Sequence, residues 1–465
     1  MKARHSAPVA LLMILSAQLY AATPAPLSID ASAQKGVTLT VYTQNLGLVR
    51  DSRALPALAP GQAVIIQDVS RQMQTETLSI KGAGQILEQN LNTNLLSHQS
   101  LLQYYLGQQL QLARRNPASG DESITPVTLL SIEGDRALVR RDSQIESIPL
   151  NTDWRFIFPS LPAHLSSKPS LEFRTQGTDS PAEGTFSYLT GGLSWQMDYV
   201  MTLNKGGSQM SLEGLATLHN SSGVDFENAH FQLMAGTLNQ PAPESYRKAN
   251  VAMASMAADS GAAPAAFEDY QLYTLPNSTS LLDQQQKQLP LVSTAALPVK
   301  REYRHEFLAM QHPDNQRHRS APQTWLSFQN GDATPLPGGA VRTFAPDEDG
   351  RLQFIGGSQI NHTATGQTVE LMLGEAFDLS VERQQTLLNK DYDSYVAEYE
   401  VLVRNSGSDA KQLDLAVNFT QPWTLEHASQ PMDESLGGRA HWTLDIPAKD
   451  KTMLRFRVKL KNPTP

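Results

Sequence analysis

One stretch of the sequence brings histidines close enough together to act as metal ligands or proton carriers. These are His305, His312 and His318. An H-E-x-x-H zinc motif would need a second histidine at position 309, where the chain has Ala309. The same stretch carries four arginines: Arg301, Arg304, Arg317 and Arg319. Because these cations would repel a divalent metal ion, we predict a solvated polar loop and no metal site.

Nucleophilic hydrolysis needs a serine, threonine or cysteine beside a base. The chain has no cysteine, which excludes thiol nucleophiles, disulfides, zinc–thiolate sites and iron–sulfur clusters. The nearest approach to a G-x-S-x-G elbow is the run from Gly192 to Gln196, in which no second glycine follows Ser194. A Ser–His–Asp triad assembled from distant positions stays open as an alternative.

Four carboxylates lie close together in the sequence: Asp391, Asp393, Glu398 and Glu400. Two of them could supply the acid and the base or nucleophile of a glycosidase. Closely spaced carboxylates are also common on the solvent face of a strand, and this is the interpretation that we favour.

Two further patterns resemble metal sites only superficially. The run from Asp347 to Gly350 lacks the distal glutamate of a calcium loop, so we predict a hairpin turn there. Met253 and Met256 are possible soft ligands for copper(I), but they lie in an alanine-rich stretch that we interpret as a linker. The sequence therefore predicts no catalytic, cofactor-binding or metal-binding residue.

Two sets of side chains could form binding surfaces. The final strand carries Arg455, Arg457, Lys459 and Lys461 on one face. This face could meet an anionic envelope glycan or lipid head group, although a charged edge strand that prevents aggregation explains it better. Aromatic residues that could form a sugar platform are Trp195, Tyr199, Trp325, Trp423 and Trp442. Trp195 and Tyr199 lie on an apolar strand face, which favours core packing for these two.

Composition narrows the function classes further. The 465 residues include 37 Lys+Arg and 46 Asp+Glu, which gives a net charge of −9. A nucleic-acid-binding protein would normally be basic, so we expect no nucleic-acid partner. Charged residues make up only 18% and hydrophobic residues 40%, which is typical of a folded chain. No apolar run is long enough for a transmembrane helix, so we expect no span in the mature chain.

The N-terminus has the pattern of a secretory signal peptide. Basic residues precede a short apolar run, and a small residue, Ala21, ends the segment. We predict cleavage after residue 21, with an uncleaved anchor as the alternative. The mature protein would then be secreted, or periplasmic in a Gram-negative bacterium.

Alternating apolar residues predict strands along most of the mature chain, and no long amphipathic helix pattern interrupts them. The fold class is therefore all-β, with an N-terminal small β domain followed by two β-sandwich-like lobes. A helix is predicted from Ser97 to Leu106, followed by short strands of a small barrel or curled sheet. A strand, an Asn-Ser-Gly-type turn and a second strand occur at Leu212–Ala235 and again at Tyr399–Phe419, which suggests two related lobes.

These patterns divide the chain into segments. We predict a signal peptide at 1–21, a flexible lead-in at 22–35 and an N-terminal β region at 36–165. A first β-sandwich lobe follows at 170–240 and a mobile Ala/Pro-rich loop at 241–266. The remaining β lobe or lobes occupy 267–465.

Three stretches resemble the signatures of a bacterial family. The first runs from Gly184 to Tyr199, the second is Tyr270 to Pro276, and the third is Pro335 to Phe344. In this order they are similar to the family called domain of unknown function 4139, which is related to the C-terminal domain of proteins similar to mucoidy inhibitor A. The likeness extends from about Ser170 to the C-terminus, with a looser match from Val37 to Phe158. It implies an exported, β-rich protein and supplies no catalytic residue. The long coiled coil of the mucoidy-inhibitor proteins has no counterpart here.

The sequence thus favours an exported protein that binds an unknown envelope protein or glycan without catalysing a reaction. One alternative is a hydrolase that acts on an envelope polymer through a site assembled from loops. Another is a passive structural component of the envelope. Fold class alone does not decide among these alternatives.

Overall fold

The computed structural model describes residues 24–116, 120–150, 154–162, 165–236, 238, 265–267, 270–309, 313–331, 334–390, 393–436 and 438–461. The predicted signal peptide lies outside these residues, as does the Ala/Pro-rich segment up to residue 264. Its last two residues, Ala265 and Ala266, belong to a strand. Four of the residues considered above also lie outside the described part: Met253, Met256, His312 and Asp391.

Strands dominate the first part of the described chain. They are β1 (Leu27–Ile29), β2 (Gln34–Tyr42), β3 (Gly47–Leu55), β4 (Ala63–Gln67), β5 (Ser79–Lys81), β6 (Ile86–Asn92), β7 (Gln109–Arg115), β8 (Glu122–Glu133), β9 (Arg136–Arg141), β10 (Gln144–Pro149), β11 (Trp154–Ile157), β12 (Ser170–Thr175) and β13 (Ala182–Thr190). Helical segments are short: the α-helix α1 (His98–Tyr104) and 3-10 turns at Ala31–Ala33 and Thr75–Thr77.

The second part of the described chain contains strands and no helix. They are β14 (Leu193–Leu203), β15 (Gln209–Asn220), β16 (Phe226–Ala235), β17 (Ala265–Phe267), β18 (Tyr270–Thr274), β19 (Thr279–Leu281), β20 (Gln286–Pro298), β21 (Lys300–Leu308), β22 (His318–Ser320), β23 (Gln323–Gln329), β24 (Gly339–Pro346), β25 (Leu352–Ile360), β26 (Thr368–Glu375), β27 (Leu379–Lys390), β28 (Ser394–Asn405), β29 (Lys411–Asn418), β30 (Trp423–Ala428), β31 (Glu434–Leu436), β32 (Arg439–Ile446) and β33 (Lys451–Lys461). The strands form several separate sheets, which confirms the predicted all-β fold.

The chain forms two compact units that are interleaved in sequence. Unit 1 contains the described residues up to 38, together with 48–191 and 222–228. Unit 2 contains 39–47, 192–221 and the described residues from 229 onward. The domain boundaries inferred from the sequence divide the chain into continuous segments, and they stay a prediction.

Unit 1 contains a four-stranded sheet in the order β1-β4-β12-β6. It also contains three hydrogen-bonded strands in the order β5-β13-β3. Strand β1 pairs in parallel with β4, so part of the predicted flexible lead-in is a strand. A three-residue strand among small polar residues shows no alternation that would have predicted it.

A second sheet of unit 1, in the order β10-β9-β8-β7-β11, is covered by α1. Ser97 caps this helix in a capping box with Ser100, and Gly107 follows it with φ of +76°. Leu102 and Tyr105 pack into the core of the sheet, which explains the predicted helix and its end. No pairing between β10 and β11 closes the sheet among the described residues, so it is an open sheet.

Unit 2 begins with the clearest strand of the sequence, β14, which is central in the sheet β20-β15-β14-β24-β25. Its apolar side chains alternate with polar ones as predicted, and the apolar face is buried.

Strands β24 and β25 form the predicted hairpin. Asp347 Oδ1 accepts hydrogen bonds from the backbone N–H groups of Asp349 and Arg351, which is the geometry of a turn. In the same unit β17, β18, β16 and β2 are neighbours in that order, and β19 pairs with β16.

The C-terminal part of unit 2 is a β-sandwich. One sheet has the order β26-β23-β21-β29-β32-β31 and the other β22-β27-β28-β33-β30. Their inner faces share one core around Trp442, whose ring lies 4.9 Å from Phe456 between centroids. Tyr399 stacks on the same Phe456 at 5.2 Å. We call this sandwich the C-terminal sandwich.

A charged pair lies in the core of unit 1. Asp51 and Arg53 both point inward from β3 and are 5% and 1% exposed. Asp51 Oδ2 accepts from Arg53 Nε at 2.8 Å and its Oδ1 from Gln34 Nε2 at 2.9 Å. Arg53 also donates to the Ile29 carbonyl, and burial and the Asp51 charge raise the pKa of the adjacent Tyr188 phenol. The pair is satisfied internally, so loss of one partner would leave a buried charge.

We expect Arg53→Met to lower the free energy of unfolding by about 3–5 kcal/mol, because Asp51 would remain buried without its cation. The double variant Asp51→Leu/Arg53→Met should recover most of this loss. Urea unfolding followed by circular dichroism measures both. Arg50→Met, on the opposite face of β3, serves as control and should change stability by less than about 0.5 kcal/mol. If Arg53→Met lowers the free energy of unfolding by no more than the control does, the buried pair has no structural role.

Candidate functional site

Residues from each of the three signature stretches meet inside unit 2. Tyr199 lies on β14, Tyr273 on β18, and the Pro335–Pro337 segment precedes β24. The Tyr199 hydroxyl donates to the Pro337 carbonyl at 2.7 Å, and the Tyr273 hydroxyl donates to the Pro335 carbonyl at 2.9 Å. The same short segment is therefore held at two points by buried phenols.

The surroundings of these tyrosines are tightly packed. The Trp195 indole donates to the Met234 carbonyl at 3.0 Å and meets Tyr273 edge-on at 6.3 Å. A Cβ at Gly339 would collide with the Met197 carbonyl, so the parallel approach of β24 to β14 requires glycine. Burial raises the pKa of both phenols, which keeps them protonated as donors. The cluster positions a segment, and its polar groups are already paired with each other.

Tyr199→Phe should destabilise the protein by about 1–3 kcal/mol, because the Pro337 carbonyl would lose its buried donor. Chemical unfolding measures this loss. Tyr395→Phe, a half-buried tyrosine of the C-terminal sandwich, is the matched control. Equal stability of the two variants would show that the phenol–carbonyl bond contributes little.

Two histidines of this stretch each contact one polar side chain, and the two contacts are separate. His318 Nε2 lies 2.6 Å from Asp314 Oδ2, and His305 Nε2 lies 3.3 Å from the Ser320 hydroxyl. No carboxylate hydrogen-bonds His305 among the described residues, so the serine, histidine and aspartate do not form one triad. The arginines of this stretch are largely engaged by other groups: Arg304 by Glu302 and Glu370, and Arg317 by Gln384.

His305 titrates abnormally because of its position on β21. Burial, with a smaller contribution from the nearby Arg383 cation, lowers the pKa of His305. The folded protein therefore keeps this imidazole neutral at pH values where the unfolded chain, with a pKa near 6.5, begins to bind a proton. Its contribution to stability is complete above about pH 6.5 and is lost as the pH falls toward the lower folded pKa.

We expect the free energy of unfolding of wild type to fall more steeply than that of His305→Gln as the pH drops below about 6.5. The two slopes should coincide above this value. Urea titrations between about pH 5 and pH 8 compare them. Parallel curves over the whole range would mean that His305 titrates normally.

Two of the four carboxylates considered for a glycosidase pair are engaged by arginines. Glu398 and Glu400 point outward from β28 and lie opposite Arg457 and Arg455 of β33. Arg455 Nε donates to Glu400 at 2.7 Å, and Arg457 pairs with Glu398. Asp393 is exposed at the start of the same strand.

This ladder also changes the interpretation of the cationic face. Strand β33 lies between β28 and β30 and is not an edge, so the predicted role as a protective edge strand is wrong. Arg455 and Arg457 of this face are neutralised by the two glutamates, whereas Lys459 and Lys461 lie opposite uncharged residues of β28.

The five aromatic residues considered as a sugar platform separate into two groups. Trp195, Tyr199 and Trp442 are buried in cores, while Trp325 and Trp423 are half-exposed. Trp325 lies under the Arg304 guanidinium at 4.9 Å. Trp423 lies at one end of the C-terminal sandwich and lines a groove.

This groove, which we call the Trp423 groove, has a volume of about 690 Å³. It is lined by Phe419, Thr420, Gln421, Pro422, Trp423, Thr424, Leu425, Met432 and Gly438. The rings of Phe419 and Trp423 lie 4.6 Å apart between centroids, with Phe419 buried and Trp423 partly exposed. None of the lining residues is charged. Gln421 Oε1 is buried there and has no hydrogen-bond donor among the described residues.

The geometry of the groove follows from the strands around it. Trp423 begins β30 and lies opposite Leu460 of β33. The backbone N–H of Lys461 donates to the Pro422 carbonyl at 2.9 Å, and that of Phe419 donates to Gly438 at 3.0 Å. Trp423 was predicted from the sequence as a possible platform residue, whereas Phe419 and Gln421 were missed, although the run from Phe419 to Trp423 between two strands was a usable signal.

Other kinds of site are not found in the described part of the chain. No group of three or more His, Cys, Asp or Glu side chains there is arranged to hold a metal ion. No helix in the described segments has both the length and the hydropathy needed to cross a bilayer.

No family model and no curated protein matches this chain. The geometry of the protein itself therefore carries the functional argument. Of the positions considered, the Trp423 groove is the one that combines a partly exposed tryptophan with an uncharged polar lining.

Proposed function

We propose that this protein is a non-catalytic binding module of the bacterial envelope, which holds a glycan chain in the Trp423 groove. The observation that carries this proposal is the lining of the groove. An aromatic surface suits the apolar face of a sugar ring, and uncharged polar side chains suit its hydroxyls. Thr424 and Gln421 place a hydroxyl group and an amide group among the lining residues.

The groove favours a neutral glycan over other ligands. A volume of about 690 Å³ is within the usual range for small-ligand sites and accommodates a short oligosaccharide. The absence of charge among the lining residues gives no complement for a strongly ionic ligand. Trp423, Leu425 and Met432 of the lining also pack against the core of the C-terminal sandwich.

Export and family membership belong to the same proposal. The signal-peptide pattern at 1–21 supports a secreted or periplasmic location, where envelope glycans are accessible. Membership of the family that the three signature stretches resemble rests on the order of those stretches in the sequence.

A hydrolase that acts on an envelope polymer is the second candidate. It is favoured by one contact, the 3.3 Å approach of the Ser320 hydroxyl to a neutral His305. A histidine in this state can act as a general base. The lack of a carboxylate partner on His305 in the described structure makes this the weaker alternative.

Trp423→Ala should weaken binding of a soluble tetramer of N-acetylglucosamine at least about tenfold, equivalent to about 1.4 kcal/mol, because the aromatic surface would be lost. Isothermal titration calorimetry measures the affinity, and co-sedimentation with purified peptidoglycan provides a second probe. Trp325→Ala, the other half-exposed tryptophan of unit 2 named above, is the matched control and should bind as wild type does.

Two outcomes would contradict the proposal. One is equal binding by wild type and Trp423→Ala, or no saturable binding of either probe. The other is release of soluble fragments from peptidoglycan that Ser320→Ala abolishes, which would favour the hydrolase.

A further inference from the structure

The outer face of the β28–β33 ladder ends in two like charges. Along this face Glu398 and Glu400 oppose arginines, and an apolar pair, Leu402 and Met453, follows. The next pair is Arg404 opposite Lys451. Directly opposed side chains in an antiparallel pair have Cβ atoms about 5 Å apart, and like charges at this distance destabilise the sheet.

A third cation lies beside this pair. Lys449 has φ of +55°, a left-handed conformation that non-glycine residues rarely adopt. Its backbone N–H donates to the Gly407 carbonyl at 3.1 Å, which fixes the turn before β33. The chain therefore combines an unfavourable backbone conformation with a third positive charge at the same place.

These residues line one pocket of about 440 Å³, which we call the 404–451 pocket. Its lining consists of Arg404, Asn405, Ser406, Lys449, Asp450 and Lys451. Asn405 is buried and its Nδ2 donates to the Asp409, Ile446 and Pro447 carbonyls, so the base of the pocket is fixed.

Neighbouring carboxylates neutralise these cations incompletely. Glu382 approaches Arg404 only to 3.8 Å, the outer limit of an ion pair. Asp378, whose backbone carbonyl accepts from Ser406, has its carboxylate engaged by Lys411. Asp450 is the only carboxylate of the lining, so three cations face two nearby carboxylates, those of Asp450 and Glu382.

We propose that the 404–451 pocket is an anion-binding site that takes a phosphate group. A guanidinium and two ammonium groups around a small pocket match the charge and the acceptor oxygens of a phosphate. A bound phosphate would turn the opposition of Arg404 and Lys451 from a repulsion into a shared contact. The site is separate from the Trp423 groove, because the two lie at opposite ends of β33.

The test uses the full mature chain with inorganic phosphate at low ionic strength, where screening is weak. We expect saturable binding by wild type in calorimetry, and at least about tenfold weaker binding by Arg404→Gln/Lys451→Gln. Without phosphate, this double variant should unfold at the same temperature as wild type or higher, because the like-charge pair is gone. Arg455→Gln, an arginine of the same ladder that Glu400 neutralises, is the control and should bind phosphate normally.

Lys449→Gly separates binding from folding. Glycine adopts positive φ without strain, so the melting temperature should not fall, whereas phosphate binding should weaken because one cation is lost. Trp423→Ala should bind phosphate as wild type does, so failure of the glycan proposal would leave this test unaffected.

Vesicles distinguish the source of the phosphate. Co-sedimentation with phosphatidylglycerol vesicles and not with phosphatidylcholine vesicles would assign a lipid head group, and phosphate binding without co-sedimentation would assign a soluble phosphate ligand. The proposal is overturned if wild type binds neither probe, or if the double variant binds phosphate as tightly as wild type.

Discussion

The packing of two sheet faces around Trp442 is the constraint on which both candidate sites depend. Tyr399, Trp442 and Phe456 are each buried; the Trp442 ring contacts Phe456 across the interior of the C-terminal sandwich, and Tyr399 stacks on Phe456 from the neighbouring strand. With no cysteine in the chain, such burial provides the stability that disulfides give many exported proteins. Each large side chain contributes about 1.5–3 kcal/mol when it leaves water. Strand β33 runs the full length of this core, about 35 Å for its eleven residues, and carries one candidate site at each end.

Buried asparagines complete the ends of the sheets in unit 2. Asn220, Asn330 and Asn405 each stand at or just after the end of a strand and are nearly inaccessible. Their Nδ2 groups donate to carbonyls of neighbouring segments, such as Leu281 for Asn220 and Thr363 for Asn330. A buried carbonyl without such a donor would be costly. These side chains therefore fix the segments next to the strand ends, and Asn405 does so at the base of the 404–451 pocket.

Much of the fold could be predicted from the sequence because one signal, the alternation of apolar side chains, is local. It predicted β14 and β33, and a shared apolar face followed by Gly107 predicted α1. Pairing between distant strands leaves no such signal, which is why the parallel contact of β21 with β29 was not foreseen. The approach of Ser320 to His305 depends on the same kind of distant pairing. Asp51 and Arg53 were also missed, since charged side chains are expected to face solvent and these two face the core.

The candidate sites show the same division between local and distant signals. Trp423 could be named from its type, but its exposure depends on how β30 joins β33. The cationic face was predicted correctly as a face of β33, and its neutralisation by β28 could not be read from either strand alone. The pocket at Arg404 and Lys451 arises only from the register that places these two residues opposite each other.

Hydrogen–deuterium exchange of the full mature chain, with and without soluble peptidoglycan fragments, tests the central claim most directly. The account predicts slower exchange confined to residues 419–425 and their paired end of β33, with the fragments recovered unchanged. Protection elsewhere in the chain with none at 419–425, or conversion of the fragments to smaller products, would contradict it.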